Sequence, residues 1–343
     1  MKTLLYIGAL ALWLTSCGSK KSDALVIAEQ GSFAVGGVVL TDSLGRKFHG
    51  DHAYVFYQKP VEARPLPIVM AHGVGQFSKT WETTPDGRDG FQNIFLRKGY
   101  STYLVDQPRR GDAGRSTDTV TIAPTFDEEE WFNRFRLGVW PDYFEGVQFK
   151  QSSAALEQLF RQMTPNVGRK DLDVYAEAYA ALFDSIGPAV FMTHSQGGAV
   201  GWQTLPKTDN IRAIVAIEPG GNVPFPVGQL PKEGRMETLT KSNTEGVEVQ
   251  MDVFMKFTRI PIIIYYGDNL PTTDERPEQY EWTRRLHLMR KWAELVNYMG
   301  GDVTVVHLPE EGIYGNTHFI MSDLNNADIA NHIAHWLHNK KLD

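Results

Sequence analysis

Short apolar segments alternate with amphipathic segments from about residue 35 to the end of the chain, and this alternation restricts the fold more than any other feature. Six runs have the length and composition of buried strands: 67–71, 101–105, 188–192, 211–217, 260–266 and 303–308. Helix-like segments separate them, at 90–98, 171–186, 281–299 and 327–338. Strands that are apolar throughout are buried on both faces, and parallel strands need helical crossovers. The sequence therefore predicts an α/β fold with a mostly parallel central sheet and helices on both faces.

Two stretches interrupt the alternation, near 109–170 and 220–258. Both are rich in aromatic residues or in glycine and proline, and we expect them to be cap insertions. Residues 35–40 and 53–58 are predicted as strands of an opening meander. Residues 31–343 are predicted to form one domain, because α/β folds of this length often form a single unit.

The composition excludes several classes of protein. Hydrophobic residues make up 42% of the chain and charged residues 22%, as in ordinary globular proteins. The net charge of -7, without a basic cluster, argues against nucleic-acid binding. Cys17 is the only cysteine, so no disulfide can form within the chain. No metal and no organic cofactor are expected.

The N-terminus has the pattern of an export signal. A basic start precedes an apolar run at 4–14 that is too short to span a bilayer as a helix. The sequence Leu-Thr-Ser-Cys at 14–17 resembles a bacterial lipobox, in which the cysteine thiol receives a diacylglycerol. We predict a lipoprotein signal peptide at 1–16, lipidation of Cys17 and a tether at 17–30. The protein would then be an exported bacterial lipoprotein, periplasmic or anchored to the outer membrane, that touches the membrane only through its lipid. An ordinary signal peptide with an incidental cysteine is the alternative.

A serine follows the apolar run at 188–192, within the sequence Thr-His-Ser-Gln-Gly-Gly at 193–198. A serine between small residues, after a strand and before a helix, is typical of a nucleophile elbow, where a sharp turn exposes the hydroxyl. Thr193 replaces the usual first glycine. Ser195 is therefore a candidate nucleophile. A Ser/Gly-rich turn without any chemistry is the alternative.

A serine hydroxyl needs a base, a group that orients the base, and donors for the developing oxyanion. His318 lies after the last predicted strand, where a serine hydrolase of this topology keeps its base. Two carboxylates follow neighbouring strands: Asp268 after 260–266 and Glu218 after 211–217. Spacing alone favours Asp268 as the acid and leaves Glu218 as the alternative.

The oxyanion needs two backbone N–H groups. One is expected from Gln196, directly after the serine and at the positive end of its helix. The other is expected from Val74, in the sequence His-Gly-Val-Gly at 72–75, where glycines let backbone approach the substrate.

Nearly all of the mature chain resembles the α/β-hydrolase superfamily. Three segments are similar to bacterial carboxylesterases with a catalytic glutamate after strand six: Thr-Trp-Glu-Thr-Thr-Pro-Asp-Gly-Arg at 80–88, His-Ser-Gln-Gly-Gly at 194–198, and Glu-Pro-Gly at 218–220. The resemblance implies a serine carboxylic-ester hydrolase that forms an acyl-enzyme. It implies Ser195 as nucleophile, His318 as base, Glu218 as acid, and the N–H groups of Val74 and Gln196 as oxyanion donors. Asp268 remains the alternative acid.

Other functions stay open at this stage. The same triad would serve for an amide, a lactone or an ester on a decorated glycan, and a surface lipoprotein could keep the fold as a non-catalytic binding module. The expected partner is a small or oligomeric ester, and the oligomeric state is not predicted. Aromatic residues of the first insertion either line an acyl pocket or pack on one another: Trp131, Trp140, Tyr143 and Phe144.

The 80–88 segment is predicted to be structural rather than catalytic. Thr84 or Asp86 would cap the helix that follows, and Arg88 would fix a loop.

Overall fold

The computed structural model describes residues 24–236 and 244–343. The predicted signal peptide, Cys17 and the first part of the predicted tether lie outside the described residues. The first strand, β1, begins at Ile27, so the tether predicted to reach residue 30 is too long. Residues 27–30 leave the tether because they pair with the strand that ends at Pro60.

The described residues form short strands and helices in alternation. The strands are β1 (Ile27–Val35), β2 (Val38–Thr41), β3 (Lys47–Gly50), β4 (Ala53–Pro60), β5 (Ile68–Ala71), β6 (Thr102–Asp106), β7 (Gly138–Val139), β8 (Asp142–Tyr143), β9 (Ala189–His194), β10 (Ile211–Ile217), β11 (Val223–Pro226), β12 (Gly246–Val249), β13 (Pro261–Tyr266) and β14 (Asp302–His307). The α-helices are α1 (Phe91–Arg97), α2 (Glu128–Arg134), α3 (Ser153–Arg161), α4 (Leu172–Ile186), α5 (Gln196–Thr204), α6 (Met251–Phe254), α7 (Pro277–Tyr298) and α8 (Asn326–Asn339).

Eight strands form the central sheet, in the order β1-β4-β6-β5-β9-β10-β13-β14. Neighbours from β6 to β14 are parallel, whereas β4 is antiparallel to both β1 and β6. The predicted α/β fold with a mostly parallel sheet is confirmed.

Both faces of the sheet are covered. In β10, Ile214 and Ala216 join an apolar cluster that contains the inner faces of α4, α5 and α7. The alternate residues Val215 and Ile217 join a second cluster, which contains α1 and α8. Successive side chains of a strand point to opposite faces, so an apolar strand needs helices on both sides. This is the physical reason for the unbroken apolar runs in the sequence.

The opening meander differs from its prediction. The single strand predicted at 35–40 is divided between the end of β1 and the start of β2, with Gly36 and Gly37 between them. Both glycines have positive φ, 71° and 79°, which an extended strand cannot contain. The chain therefore turns here, and β2 pairs with β3 outside the central sheet.

Among the described residues, the two predicted insertions contain four of the six strands outside the central sheet. The first, near 109–170, holds α2, β7, β8 and α3, and the second, near 220–258, holds β11, β12 and α6. Among the described residues, no helix is both long and apolar enough to cross a bilayer.

The parallel strands end together and bring three site candidates to one edge. The N–H of Ser195 donates to Ile217 O at 3.0 Å, and the N–H of Glu218 donates to Tyr265 O at 2.8 Å. Asp268 comes two residues after β13 at the same edge. The carboxyl edge of the sheet is thus where the candidate site is assembled.

Candidate active site

Ser195 stands at a sharp turn between β9 and α5, with φ 52° and ψ -120°. A residue with a side chain is strained in this conformation, and the turn leaves no room for larger neighbours. A Cβ at Gly197 would lie 2.8 Å from the carbonyl oxygen of Ala71, and one at Gly198 would lie 2.5 Å from Pro219 Cβ. The glycines after the serine are therefore required by close packing of α5 on the sheet edge.

The structure brings His318 and Glu218 into contact. His318 Nδ1 lies 3.1 Å from Glu218 Oε2, and both side chains are buried. The other oxygen of Glu218, Oε1, accepts hydrogen bonds from Arg136 Nη2 at 2.5 Å and from the N–H of Gly267 at 2.6 Å. Burial alone would raise the pKa of the Glu218 carboxyl, but Arg136 and the His318 hydrogen bond outweigh it and lower the pKa to about 2. Glu218 is therefore an anion beside the imidazole.

Asp268 does not contact the imidazole. Its Oδ1 accepts from the N–H of Asn269 at 2.6 Å, and its Oδ2 accepts from the N–H of Gly315 at 2.7 Å. The carboxylate therefore supports the loop that leads to His318. Spacing alone favoured Asp268, whereas the hydrogen bond to His318 Nδ1 is made by Glu218.

Arg136 is a site residue that the sequence did not reveal. It follows α2 in the first insertion, has a φ of 60° and is fully buried. Its Nε donates to the carbonyl oxygen of Asp268 at 2.8 Å while Nη2 holds Glu218. A lone arginine in an irregular stretch carries no motif, so only the fold identifies its partner.

His318 is enclosed by rings. Phe135 stacks on it with centroids 5.6 Å apart and planes 12° apart, Trp282 lies at 4.1 Å, and His194 at 4.6 Å. The N–H of His318 also donates to Phe135 O at 2.9 Å. Burial is the main cause that lowers the pKa of His318, to about 4, and it outweighs the contribution of Glu218. The imidazole is therefore neutral at pH 7.

The two predicted oxyanion donors face the same cavity as Ser195. Val74 and Gln196 both line it, and within the described part of the chain neither backbone N–H has a hydrogen-bond partner. The loop that holds Val74 is fixed by the buried Arg110, whose Nη1 donates to Gly73 O at 2.8 Å. A Cβ at Gly73 would lie 2.8 Å from Ser195 Cβ, so this loop passes against the serine only because residue 73 is glycine.

The 80–88 segment fixes the loop after His318. Arg88 Nη2 donates to the carbonyl oxygens of Ser322 and Asp323, at 3.0 and 3.1 Å. The Asp323 carboxylate in turn accepts the N–H of Thr317 at 2.8 Å. The predicted role of Arg88 agrees with these contacts.

The predicted caps of the following helix are wrong. The residue before α1 is Gly90, and it makes no side-chain cap. Thr84 donates instead to Asp86 at 2.7 Å, and Asp86 binds Arg88, so both are used within the 80–88 turn.

A cavity of about 90 Å³ opens beside the serine. Its lining comes from the sheet edge, the first insertion and α7: Val74, Trp131, Arg134, Phe135, Lys170, Ser195, Gln196, Ala199, Gly220, Gly221, Glu281, Trp282, Arg285 and His318.

The aromatic residues predicted for the first insertion divide between two roles. Trp131 lines the cavity, whereas Trp140 and Tyr143 pack on Phe132 with centroids 5.3 and 5.0 Å apart. Phe144 contacts Arg276.

The cavity brings Ser195 and His318 together, yet among the described residues the two side chains make no hydrogen bond. Such bonds are often long without substrate and tighten when it binds. Across the described ranges, no group of three or more His, Cys, Asp or Glu side chains could hold a metal ion.

Comparison with known proteins identifies the family. The model of the alpha/beta hydrolase family matches residues 68–308, more than half of the chain. The chain belongs to the alpha/beta hydrolase family. It is 30% identical to a novel bacterial esterase whose structure is known, with a TM-score of 0.72 over 92% of this chain and 97% of that one. It is also 28% identical to the probable secreted lipase phiG of a fungal species (strain ATCC 74256), over 86% of this chain and 88% of that protein. The protein is thus a serine hydrolase of the esterase and lipase type.

Two substitutions of Ser195 test whether the backbone of this residue is strained. Both Ser195→Ala and Ser195→Gly remove the hydroxyl, but only glycine adopts φ 52° without strain. We expect the free energy of unfolding of Ser195→Gly to exceed that of Ser195→Ala by about 1 kcal/mol, after the entropic cost of glycine is subtracted. Chemical denaturation of the two variants measures this difference. Equal stability, or a less stable glycine variant, would show that the turn is not strained.

The low pKa of His318 predicts activity in acid. Above a pKa of about 4 the imidazole is neutral and can accept a proton, and below it the imidazole is protonated and cannot. We expect kcat/KM to stay near its plateau down to about pH 5 and to fall as the pH drops through about 4. Circular dichroism at each pH must show that the protein remains folded. A midpoint near 6.5, the ordinary value for histidine, contradicts the prediction.

Proposed function

We propose that the protein is a serine carboxylic-ester hydrolase that acts through Ser195, His318 and Glu218. The observation that carries this proposal is the chain of contacts at one cavity. Ser195 and His318 line the cavity, and the buried Glu218 anion bonds to the far nitrogen of the imidazole. Val74 and Gln196, whose backbone N–H groups are the proposed oxyanion donors, line the same space.

The proposed reaction uses these groups in sequence. His318 Nε2 accepts the proton of Ser195 as Oγ attacks the ester carbonyl, and the N–H groups of Val74 and Gln196 bind the oxyanion. Glu218 keeps the Nδ1 proton in place and stabilises the imidazolium. The imidazolium then protonates the leaving alcohol, and an acyl-enzyme forms. Water, deprotonated by His318, attacks the acyl group and releases the acid.

The assignment of Glu218 as the acid rests on two differences from Asp268. Glu218 contacts His318 Nδ1, and its charge is fixed by Arg136 in a site without solvent exposure. Asp268 instead accepts hydrogen bonds from the N–H of the next residue, Asn269, and from the N–H of Gly315 in the loop before His318. The longer side chain of glutamate lets an acid on the strand next to the serine reach the imidazole.

The names of the relatives support an ester as substrate, since one is an esterase and the other a probable lipase. The cavity of about 90 Å³, lined in part by Trp131, Phe135 and Trp282, favours a short acyl group over a long one.

We infer in addition that the protein is exported and anchored by a lipid on Cys17. The lipobox-like sequence supports the anchor, and the word "secreted" in the name of the fungal relative supports export. Residues 18–26, between Cys17 and the start of β1 at Ile27, would separate the catalytic domain from the membrane surface.

Hydrolysis of p-nitrophenyl esters from acetate to decanoate tests the function. We expect activity on the short esters, a decline towards decanoate because of the small cavity, and a loss of at least about 10³-fold in Ser195→Ala. The matched control is the unfolding temperature of the variant, which should stay close to that of the wild type. If the variant hydrolyses every ester as fast as the wild type does, the serine mechanism is wrong.

A second experiment tests the acid. We expect Glu218→Gln to lower kcat/KM by on the order of 10³–10⁴-fold, because the imidazole loses the anion that orients it. Asp268→Asn should lower it less than about tenfold, since Asp268 touches no reacting group. Activities are compared per folded molecule, because Glu218→Gln would leave the buried Arg136 without its counter-ion. Full activity in Glu218→Gln together with loss in Asp268→Asn would reverse the assignment.

A further inference from the structure

Charged side chains line the cavity beside Ser195, although a simple acyl group would need none. Arg134 from α2, Lys170 before α4, and Arg285 from α7 bring three positive charges, and Glu281 brings one negative charge. Behind the wall, Glu130 pairs with Arg134, and Glu245 pairs with Arg284 and Arg285. With these included, the described residues in and behind the wall comprise four cations and three carboxylates. Of the described side chains that line the cavity itself, more are cationic than anionic.

The carboxylate in the wall is not available to a substrate. Glu281 Oε2 accepts from Arg134 Nη1 at 3.0 Å, and its Oε1 accepts from Arg285 Nη2. Arg285 Nε donates to Glu245 at 2.9 Å, but within the described residues its Nη1 makes no hydrogen bond. The two carboxylates thus hold the guanidinium rigidly and leave one of its nitrogens for the cavity.

Arg285 is held close to the catalytic imidazole. Its guanidinium lies 4.5 Å from the centre of the Trp282 ring, which itself lies 4.1 Å from the His318 ring. An anion bound by Arg285 would therefore be a few atoms from the reacting carbonyl.

Lys170 adds a second cation to the same space. It is partly buried, and its pKa is lowered to about 8, first by burial and then by the charges of Arg110 and Arg285. Cations held this close repel one another at a cost in free energy, and a bound anion would reduce that cost.

The side-chain amide of Gln196 supplies an independent observation. Gln196 is only 6% exposed, lines the cavity next to Ser195, and neither Oε1 nor Nε2 has a hydrogen-bond partner among the described residues. A buried amide that makes no hydrogen bond is unfavourable, because both its donor and its acceptor have lost their contact with water. The amide is therefore available to a polar group of the substrate.

We propose that the substrate is an ester that carries a carboxylate a few atoms from the scissile carbonyl, held by Arg285 and Lys170 with the amide of Gln196 as a further donor. This inference rests on the ester hydrolysis proposed above. A planar carboxylate fits the planar donors of a guanidinium, and hydrogen bonds between opposite charges are about twice as strong as neutral ones. A purely apolar acyl group would instead displace water from these cations and make no hydrogen bond or ion pair with them.

Two matched pairs of substrates test the inference. Monoethyl succinate and ethyl 4-methylpentanoate have acyl groups of the same shape and differ in the terminal carboxylate. The compounds 4-acetoxybenzoate and 4-acetoxybenzamide make the same comparison in the alcohol half. We expect kcat/KM for the anionic member of at least one pair to exceed that for the neutral member by about tenfold or more.

If the neutral esters are hydrolysed as fast as the anionic ones, or faster, in both pairs, the inference is wrong while the hydrolase function stands. If no ester is hydrolysed faster than by Ser195→Ala, the function fails and the inference with it.

Substitutions of Lys170 test whether the cavity wall causes the preference for anionic esters. The ratio of anionic to neutral kcat/KM should fall about tenfold in Lys170→Met and should be largely restored in Lys170→Arg, which keeps the charge. The control Lys150→Met removes an exposed lysine outside the cavity and should leave the ratio and both activities unchanged. An unchanged ratio in a folded Lys170→Met variant would contradict the role of Lys170. The ratio for the wild-type protein is measured separately. It therefore tests the preference for a substrate carboxylate even if Lys170→Met fails to fold.

Discussion

The ion pair between Glu218 and Arg136 is the interaction on which the rest of the site depends. Both side chains are fully buried, and a lone carboxylate at this depth would take up a proton and cease to be an anion. Arg136 keeps Glu218 charged, and Glu218 fixes the Nδ1 side of His318. Arg136 also donates to the carbonyl oxygen of Asp268, so one guanidinium joins the ends of two strands. Removal of either charge would leave the other buried without a partner.

This dependence makes the first insertion part of the active site. It supplies Arg136, the ring of Phe135 that stacks on His318, and three residues of the cavity wall, Trp131, Arg134 and Lys170. The backbone of Phe135 also accepts a hydrogen bond from the N–H of His318. The sheet edge thus provides Ser195 and the proposed acid Glu218, while the insertion supplies the counter-ion of Glu218 and part of the cavity wall.

The fold could be predicted from the sequence because buried parallel strands leave an unbroken apolar pattern. Ser195 and His318 were predicted as site residues from their places after strands, and the structure places both at one cavity. Spacing alone favoured Asp268, although Glu218 also follows a parallel strand at the same edge, and only the resemblance favoured Glu218. Arg136 and Arg285 could not be found, since a buried arginine in a loop or helix has no local signature until its carboxylate partners are known. The predicted strand at 35–40 is divided because two adjacent glycines both adopt a positive φ. The pattern of apolar residues in the sequence does not reveal this backbone conformation.

The cations of the cavity and the base are coupled electrostatically. Arg136 and Arg285 both lower the pKa of His318, in addition to the larger effect of burial. A low pKa keeps the imidazole neutral and available, but it also makes the imidazole a weak base towards the serine hydroxyl. A substrate carboxylate on Arg285 would offset part of the positive charge near the ring and raise the pKa of His318 towards its ordinary value. The base would then be strengthened by the same ion pair that binds the substrate, so a charged ester would gain in the chemical step as well as in binding.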